Sequence, residues 1–190
     1  GSEKAIVVVL ICGGSEGTNM ILKIIPALFM INQPIQIATV CGTNKTLYKT
    51  ASSFKTIIPR LTKINGFRKL NNLNLKLFRF TNQLPQLMNI ADLIVGKAGP
   101  NFLFESVVAK KPFLAICHIS GQEDANLVLI RKKKLGFVEE NPLKAIKSLK
   151  TIIKKPDILN QFKKSIQKEK DYNQKFAVNL IKVVNSLLAN

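Results

Sequence analysis

The residues best suited to chemistry lie in three glycine-bearing turns. The most informative is Gly96-Lys97-Ala98-Gly99-Pro100-Asn101-Phe102-Leu103-Phe104-Glu105. The apolar run Ala91-Asp92-Leu93-Ile94-Val95 before it predicts a short buried strand, and helical spacing resumes from Phe102 to Ala109. A strand, a glycine turn and a helix start together aim spare backbone N–H groups at an anion, and proline suits the first helical position. Glu105, one to two turns into that helix, is placed to reach hydroxyl groups beside a bound phosphate. Two further turns add weight: Gly13-Gly14-Ser15-Glu16-Gly17, and Ser120-Gly121-Gln122-Glu123-Asp124-Ala125-Asn126. Gly13 and Gly14 let a ligand approach the backbone closely, with the Ser15 hydroxyl facing it. The spacing is not the Gly-x-Gly-x-x-Gly of dinucleotide folds, so neither NAD nor FAD is expected.

The elements that must position these turns alternate in type. Ala5 to Ile11 is a valine-rich run of the kind expected for a central parallel strand. A helix from Met20 to Met30 follows, then a strand from Ile35 to Val40, ending in Cys41-Gly42-Thr43-Asn44. The pattern next predicts a helix from Lys45 to Phe54, a possible strand within Leu61–Phe67, a strand from Leu75 to Phe80 and a short helix from Asn82 to Asn89. Phe113 to Cys117 reads as a buried strand, Gln122 to Lys134 as a helix and Gly136-Phe137-Val138 as a short last strand. From Pro142 onward the chain reads as helical, with Phe176, Leu180, Val183, Val184, Leu187 and Leu188 forming one apolar stripe. Such alternation implies an α/β, Rossmann-like, doubly wound parallel sheet with a helical C-terminal tail. Its ligand would sit at the carboxyl ends of the strands, where all three turns leave and share one cleft.

Composition narrows the function classes. A chain of 190 residues with 46% hydrophobic content is long enough for one domain with a substantial core. No apolar run approaches the roughly 20 residues needed to cross a bilayer. No signal peptide follows Gly1-Ser2, which reads as a non-native leader, and the strand that begins almost at once reads as a start at a domain boundary. Cys12, Cys41 and Cys117 share no metal-ligand spacing and are odd in number, which predicts reduced thiols in a cytoplasmic setting. His118 is the only histidine, which argues against a metal site or a Ser-His-Asp triad. The net charge of +18 fits either a lysine-rich solvated surface or contact with an anionic partner. No zinc-finger spacing or aromatic-basic motif points to nucleic acid, so an anionic membrane surface ranks above it.

The order Gly-Gly-Ser-Glu-Gly, Cys-Gly-Thr-Asn, Ala-Asp-Leu-Ile-Val-Gly-Lys-Ala-Gly-Pro with Glu105, and Gly-Gln-Glu-Asp-Ala-Asn resembles the C-terminal half of family 28 glycosyltransferases. The resemblance runs from about Ala5 to Val138. Lys97-Ala98-Gly99-Pro100 and Gly121-Gln122-Glu123 with Asn126 are most similar to the diacylglycerol glycosyltransferases. It implies a GT-B architecture, in which two Rossmann-like domains enclose the active site. Residues 3–140 would form the nucleotide-sugar-binding domain, with 141–190 as helices packed on it. Gly13, Gly14 and Ser15 would line the diphosphate side, the Gly99-Pro100 turn would hold the phosphates, and Glu105 would bind the ribose. Gln122 and Glu123 would bond the donor sugar, Asn126 would support their loop, and Phe80-Thr81 would meet the uracil edge through the backbone.

The same resemblance implies a UDP-sugar donor, a hexose moved to a membrane lipid, and peripheral attachment on the cytoplasmic side. It also implies an N-terminal acceptor domain or partner subunit that supplies the catalytic base, so no catalytic residue is expected in this chain. No Asp-x-Asp motif occurs, and no metal or other cofactor is expected. Two departures stand out: Arg79-Phe80 where the family has Gly-Phe or Gly-Tyr, and Phe102 where it has threonine. Phe102 is expected beside the phosphates, where a threonine would bind them better; the rival reading puts its ring on the core face of its helix with Leu103 and Val107. Three other readings compete: a catalytic subunit of a two-subunit UDP-N-acetylglucosamine-dependent transferase, a UDP-sugar epimerase of the same shape, and a basic nucleotide-binding module without enzymatic activity. If the charge serves an anionic membrane, vesicle binding should rise with anionic lipid content and fall steeply with salt. Sedimentation with vesicles of graded composition would show it, and binding indifferent to lipid charge would leave the lysines as solvated surface.

Overall fold

Strands that are apolar on both faces need cover on both faces, and burial along this chain shows where the cover lies. In the central strands Leu93 and Val95 belong to one core cluster and Ile94 to the other. Leu114 and Ile116 likewise face one side, while Phe113 and Ala115 face the opposite one. This period of two places a hydrophobic layer on each side of the sheet. The computed structural model describes residues 6–11, 14–31, 33–64 and 73–188.

The described elements are β1 (Ile6–Ile11), α1 (Gly14–Leu28), β2 (Ile35–Val40), α2 (Lys45–Ile64), β3 (Leu73–Phe78), α3 (Leu84–Ile90) and β4 (Leu93–Lys97). They continue as α4 (Pro100–Val108), β5 (Phe113–Cys117), α5 (Asp124–Lys132), β6 (Gly136–Val138), α6 (Pro142–Lys154), a 3₁₀ helix (Pro156–Phe162) and α7 (Lys163–Leu188). The sheet order is β3-β2-β1-β4-β5-β6, and every strand pair is parallel. One face is covered by α1, α2 and α6 through residues such as Ile21, Ile25, Leu47 and Leu149. The other is covered by α3, α4 and α5 through Met88, Leu103, Val107, Leu127 and Ile130. This is the Rossmann-like doubly wound architecture expected from the alternating pattern.

Several boundaries differ from the sequence expectation. Helix α1 begins at Gly14 rather than near Met20, because the polar residues of the first turn are themselves helical. Helix α2 runs on past Phe54, through Pro59, to Ile64. Leu47, Ala51, Phe54 and Ile58 continue one apolar face against the core, and that packing outweighs the ladder bond that proline removes. Leu61 to Ile64 are therefore helical, not part of a strand, and the remainder of the Leu61–Phe67 expectation lies outside the described residues. Strand β3 spans Leu73–Phe78, two residues earlier than expected, so Arg79 and Phe80 belong to the following turn. Helix α5 begins at Asp124, which leaves Gln122 and Glu123 in the turn before it.

The tail divides in two. Helix α6, the 3₁₀ helix and the start of α7 lie on the domain, with Leu159, Phe162 and Ile166 buried. Glu169 bonds Lys133 of the α5 end at 3.0 Å, and Lys170 donates to the Val108 carbonyl at 2.9 Å. From Tyr172 onward α7 leaves the domain, contrary to the expectation that the whole tail packs. Phe176, Leu180, Val183, Val184, Leu187 and Leu188 form the foreseen stripe, yet all are exposed.

Phe102 is likewise corrected. Its ring meets Phe113 edge-on at 5.4 Å between centroids and packs against the core on the α4 side. The ring is half-buried and turned onto the core, with Phe113 fully buried at the sheet face beneath it. Phe102→Thr should thus cost about 3 kcal/mol of stability, as large-to-small core changes do, and leave nucleotide affinity unchanged. Melting temperature and calorimetry on one sample separate this from a ring that faces the ligand, which would show tighter binding at unaltered stability. Gly136 provides a second test of the packing. A Cβ there would stand 1.7 Å from the Phe113 carbonyl oxygen of the neighbouring strand. Gly136→Ala should therefore destabilise by about 3 kcal/mol through forced separation of β5 and β6, and urea unfolding would measure the loss.

Candidate functional site

The strand order reverses direction between β1 and β4, so the chain leaves these neighbours toward opposite faces and opens a crevice at their carboxyl ends. Ile11 stands opposite Gly96, which brings the carboxyl ends of β1 and β4 side by side. Gly14 and Ser15 open α1 at that point, and Gly13 lies outside the described residues. Across the crevice α4 begins with Gly99 as its N-cap, in extended conformation, and Pro100 at the first helical position. Gly99 has no side chain with which to cap this helix start, and no cap bond is made there among the described residues. The helix dipole and the amides of its first turn therefore remain available to an anion.

Behind that turn sits an ion pair. The pairing of β4 with β5 slips by one residue between Gly96 and Lys97, an irregularity of the kind that re-aims a side chain beside a site. Lys97 bonds Glu123 from the turn before α5, and their side chains are 15% and 7% exposed. A Cβ on Gly99 would stand 3.4 Å from Glu123 Oε1 and 3.5 Å from Lys97 Nζ, so the pair lies directly against the turn. The other Glu123 oxygen, Oε2, accepts the Ile119 amide at 2.8 Å. Asn126 Nδ2 donates to the Ala98 carbonyl at 2.7 Å, and Ala98 N donates to the Cys117 carbonyl at 2.8 Å. Three bonds thus bind the loop after β5 to the turn after β4. Glu123 is turned inward with both oxygens engaged, whereas Gln122 is exposed.

Thr81 and Glu105 are brought together, although 24 positions separate them in the chain. A cleft of about 630 Å³ is lined by Thr81, Asn82, Leu84, Asn101, Phe104 and Glu105 among others. Thr81 Oγ1 accepts the Gln83 amide at 3.1 Å, which shapes the turn leading into α3. Phe80 projects into solvent at 76% exposure. Arg79, at the first family departure, lies over the Tyr48 ring at 4.9 Å, a cation–π contact that holds it against α2. The cleft sets the apolar side chains of Leu84 and Phe104 beside the exposed carboxylate of Glu105, next to the first turn of α4.

Sequence reasoning missed two features. Lys97 was visible only as one letter of a motif, and its partner is 26 residues away; adjacency of β4 and β5 was the only signal. His118 was set aside as a lone histidine, yet it stands one residue beyond β5 at the carboxyl edge of the sheet. Its Nε2 bonds Asp124 Oδ1 at 2.7 Å, and its Nδ1 bonds Glu140. These carboxylates raise its pKa above the ordinary histidine value, with the Glu140 hydrogen bond the largest cause and partial burial opposing it. Among the described residues, no group of three or more His, Cys, Asp or Glu is placed to hold a metal ion. None of the described helices is long and apolar enough to cross a membrane.

Residues 8–184 match the family described as Glycosyltransferase family 28 C-terminal domain. Monogalactosyldiacylglycerol synthase 3 of Arabidopsis thaliana is 29% identical over 146 residues, covering 73% of this chain and 28% of that protein. The Spinacia oleracea monogalactosyldiacylglycerol synthase is 26% identical over 156 residues, covering 78% of this chain and 27% of that one. The chain thus spans about a quarter of the length of these relatives. Among solved structures, Acinetobacter baumannii MurG superposes with a TM-score of 0.74 at 19% identity, over 96% of this chain and 50% of that one. Anabaena Alr3699/HepE, solved with UDP and glucose, gives a TM-score of 0.58 at 17% identity, over 94% of this chain and 48% of that one. With the family match running over nearly its whole length, this chain belongs to glycosyltransferase family 28, as its C-terminal domain.

Proposed function

We propose that this chain is the donor-binding domain of a glycosyltransferase that moves a hexose from a UDP-sugar onto a membrane lipid of the diacylglycerol type. One observation carries the reading: Thr81, Asn101 and Glu105 line a single cleft between α3 and α4, which opens beside the first turn of α4. The uracil would lie against the Phe80-Thr81 turn, the ribose hydroxyls on Glu105, and the diphosphate at the Gly99-Pro100 turn with Gly13, Gly14 and Ser15 opposite. Gln122 would reach the donor sugar directly. Glu123 and Asn126 would hold the loop that presents it, through Lys97 and the Ala98 carbonyl. The relatives named as monogalactosyldiacylglycerol synthases support the lipid acceptor, and the neighbour solved with UDP and glucose supports the donor class.

The chemistry would be displacement at the anomeric carbon by a lipid hydroxyl, with UDP leaving. Fixed N–H dipoles at the α4 start stabilise charge as it develops on the diphosphate. In this reading no divalent ion takes part, and EDTA should not alter UDP affinity. The acceptor and its base would come from a second domain or partner subunit. The bare apolar face of α7 supplies a surface for such a partner to cover, because an exposed stripe of that size marks an interaction site. The basic surface would hold the assembly against anionic lipid on the cytoplasmic side.

This chain alone should therefore bind UDP by calorimetry and transfer no sugar to diacylglycerol. Appreciable turnover without a partner would overturn the two-part arrangement. Glu105→Ala should weaken UDP binding by about 1–3 kcal/mol, the range for a hydrogen bond to a charged group, with an unchanged melting temperature. Full affinity in that variant would remove Glu105 from the ribose site.

A further inference from the structure

The sole histidine holds a position that the donor site as described does not use. His118 follows β5 directly and lies between two carboxylates that come from different elements. Asp124 opens α5, and Glu140 belongs to the turn between β6 and α6. These are the charged groups that face the ring. Each ionised carboxylate can only accept a hydrogen bond, so holding both requires a proton on each ring nitrogen. The bonded arrangement is therefore that of an imidazolium. Asp124 does more than accept: its Oδ2 takes the Gly121 amide at 2.8 Å. Gly121 has a φ of +81°, a left-handed turn that sets the direction of Gln122 next to it. Contact thus runs from Glu140 through His118 and Asp124 to Gly121.

We propose that His118, as an imidazolium, is a positioning residue that latches the loop Ser120–Asn126 into its donor-sugar-binding shape by tying Asp124 to Glu140. The proposal rests on the donor-site reading for its effect on the sugar, while the latch itself rests on geometry alone. The opposite end of the same loop is tied by Glu123 to Lys97 at the end of β4 and by Asn126 to the Ala98 carbonyl, with no titrating imidazole. Loss of the His118 proton removes one of its two carboxylate bonds and so breaks the tie between Asp124 and Glu140, leaving Asp124 and the Gly121 amide it holds without that anchor. The sign follows from the raised pKa. The latch contributes fully below the ordinary histidine value and is lost as pH rises through the folded-state value. Sugar recognition should fade over that window, while the uracil and diphosphate contacts, which lie on other turns, should not.

A single histidine makes the experiment direct, since only one imidazole signal appears in a carbon–proton NMR spectrum. Its titration midpoint should lie above that of an unstructured histidine, and fall in both Glu140→Gln and Asp124→Asn. The Gly121 amide shift should follow the same midpoint with or without nucleotide. Calorimetry with UDP-galactose and UDP-glucose should show affinity falling about tenfold across the midpoint, the scale of one charge-assisted hydrogen bond. UDP affinity should stay flat. His118→Gln should lack this pH dependence and show the weaker, high-pH affinity throughout. A midpoint at or below the ordinary value, or a Gly121 amide indifferent to it, would overturn the latch. Nucleotide-sugar affinity that parallels UDP across the midpoint would overturn its role in sugar recognition. Failure of UDP itself to bind at any pH, with the NMR midpoint raised and Gly121 following, would instead overturn the donor-site reading and leave the latch supported.

Discussion

A parallel sheet covered on both faces has no room for polar chemistry except at its strand ends, and that constraint governs this molecule. Both sides of β4 and β5 are filled by aliphatic and aromatic side chains. An unpaired charge placed there would meet a desolvation cost of several kcal/mol. At the carboxyl edge the backbone turns, amides come free and helices begin with their positive ends outward. Reversal of strand order between β1 and β4 then opens a crevice at the carboxyl ends of these two strands. Function is confined to this edge by the way the core is covered.

Within that edge, the Lys97–Glu123 pair carries most of the organisation. It is nearly enclosed, and each partner relieves the other of an uncompensated charge. Because the pair lies against Gly99, the Gly99-Pro100 turn cannot shift without disturbing it. Because Glu123 also takes the Ile119 amide, the loop after β5 moves with that turn. A Cβ at position 99 would sit at ordinary contact distance from the same two side chains, so turn and ion pair are packed as one unit.

Helix α7 shows the limit of the same logic. Its first turns cover α4 and α5 and are fixed by Lys133, Lys170 and Glu169. Beyond Tyr172 its apolar side chains are exposed among the described residues. At 1.5 Å per residue the seventeen residues from Tyr172 to Leu188 extend roughly 25 Å. The pattern that forms the helix does not by itself supply a surface to bury its stripe.

The sequence by itself determined the alternation of strands and helices, the sheet class, the break at Gly99 and the helices that carry Glu105 and Asn126, because all of these follow from local spacing. Apolar runs with period two or 3.6 encode which way a face must turn, and Gly-Pro encodes a break followed by a helix start. It did not determine where α2 ends, since Pro59 argues for a stop and only the core beneath Ile58 overrules it. Nor could it decide that Phe102 turns to Phe113, that Glu123 turns inward to Lys97, or that His118 finds two carboxylates. Those outcomes depend on which strands become neighbours, and strand order is settled by how helices cover the two faces of the sheet. A stripe such as Phe176–Leu188 reads identically in sequence whether it is buried or bare. Only the position of the domain edge decides that, and the edge exists only once the chain has folded.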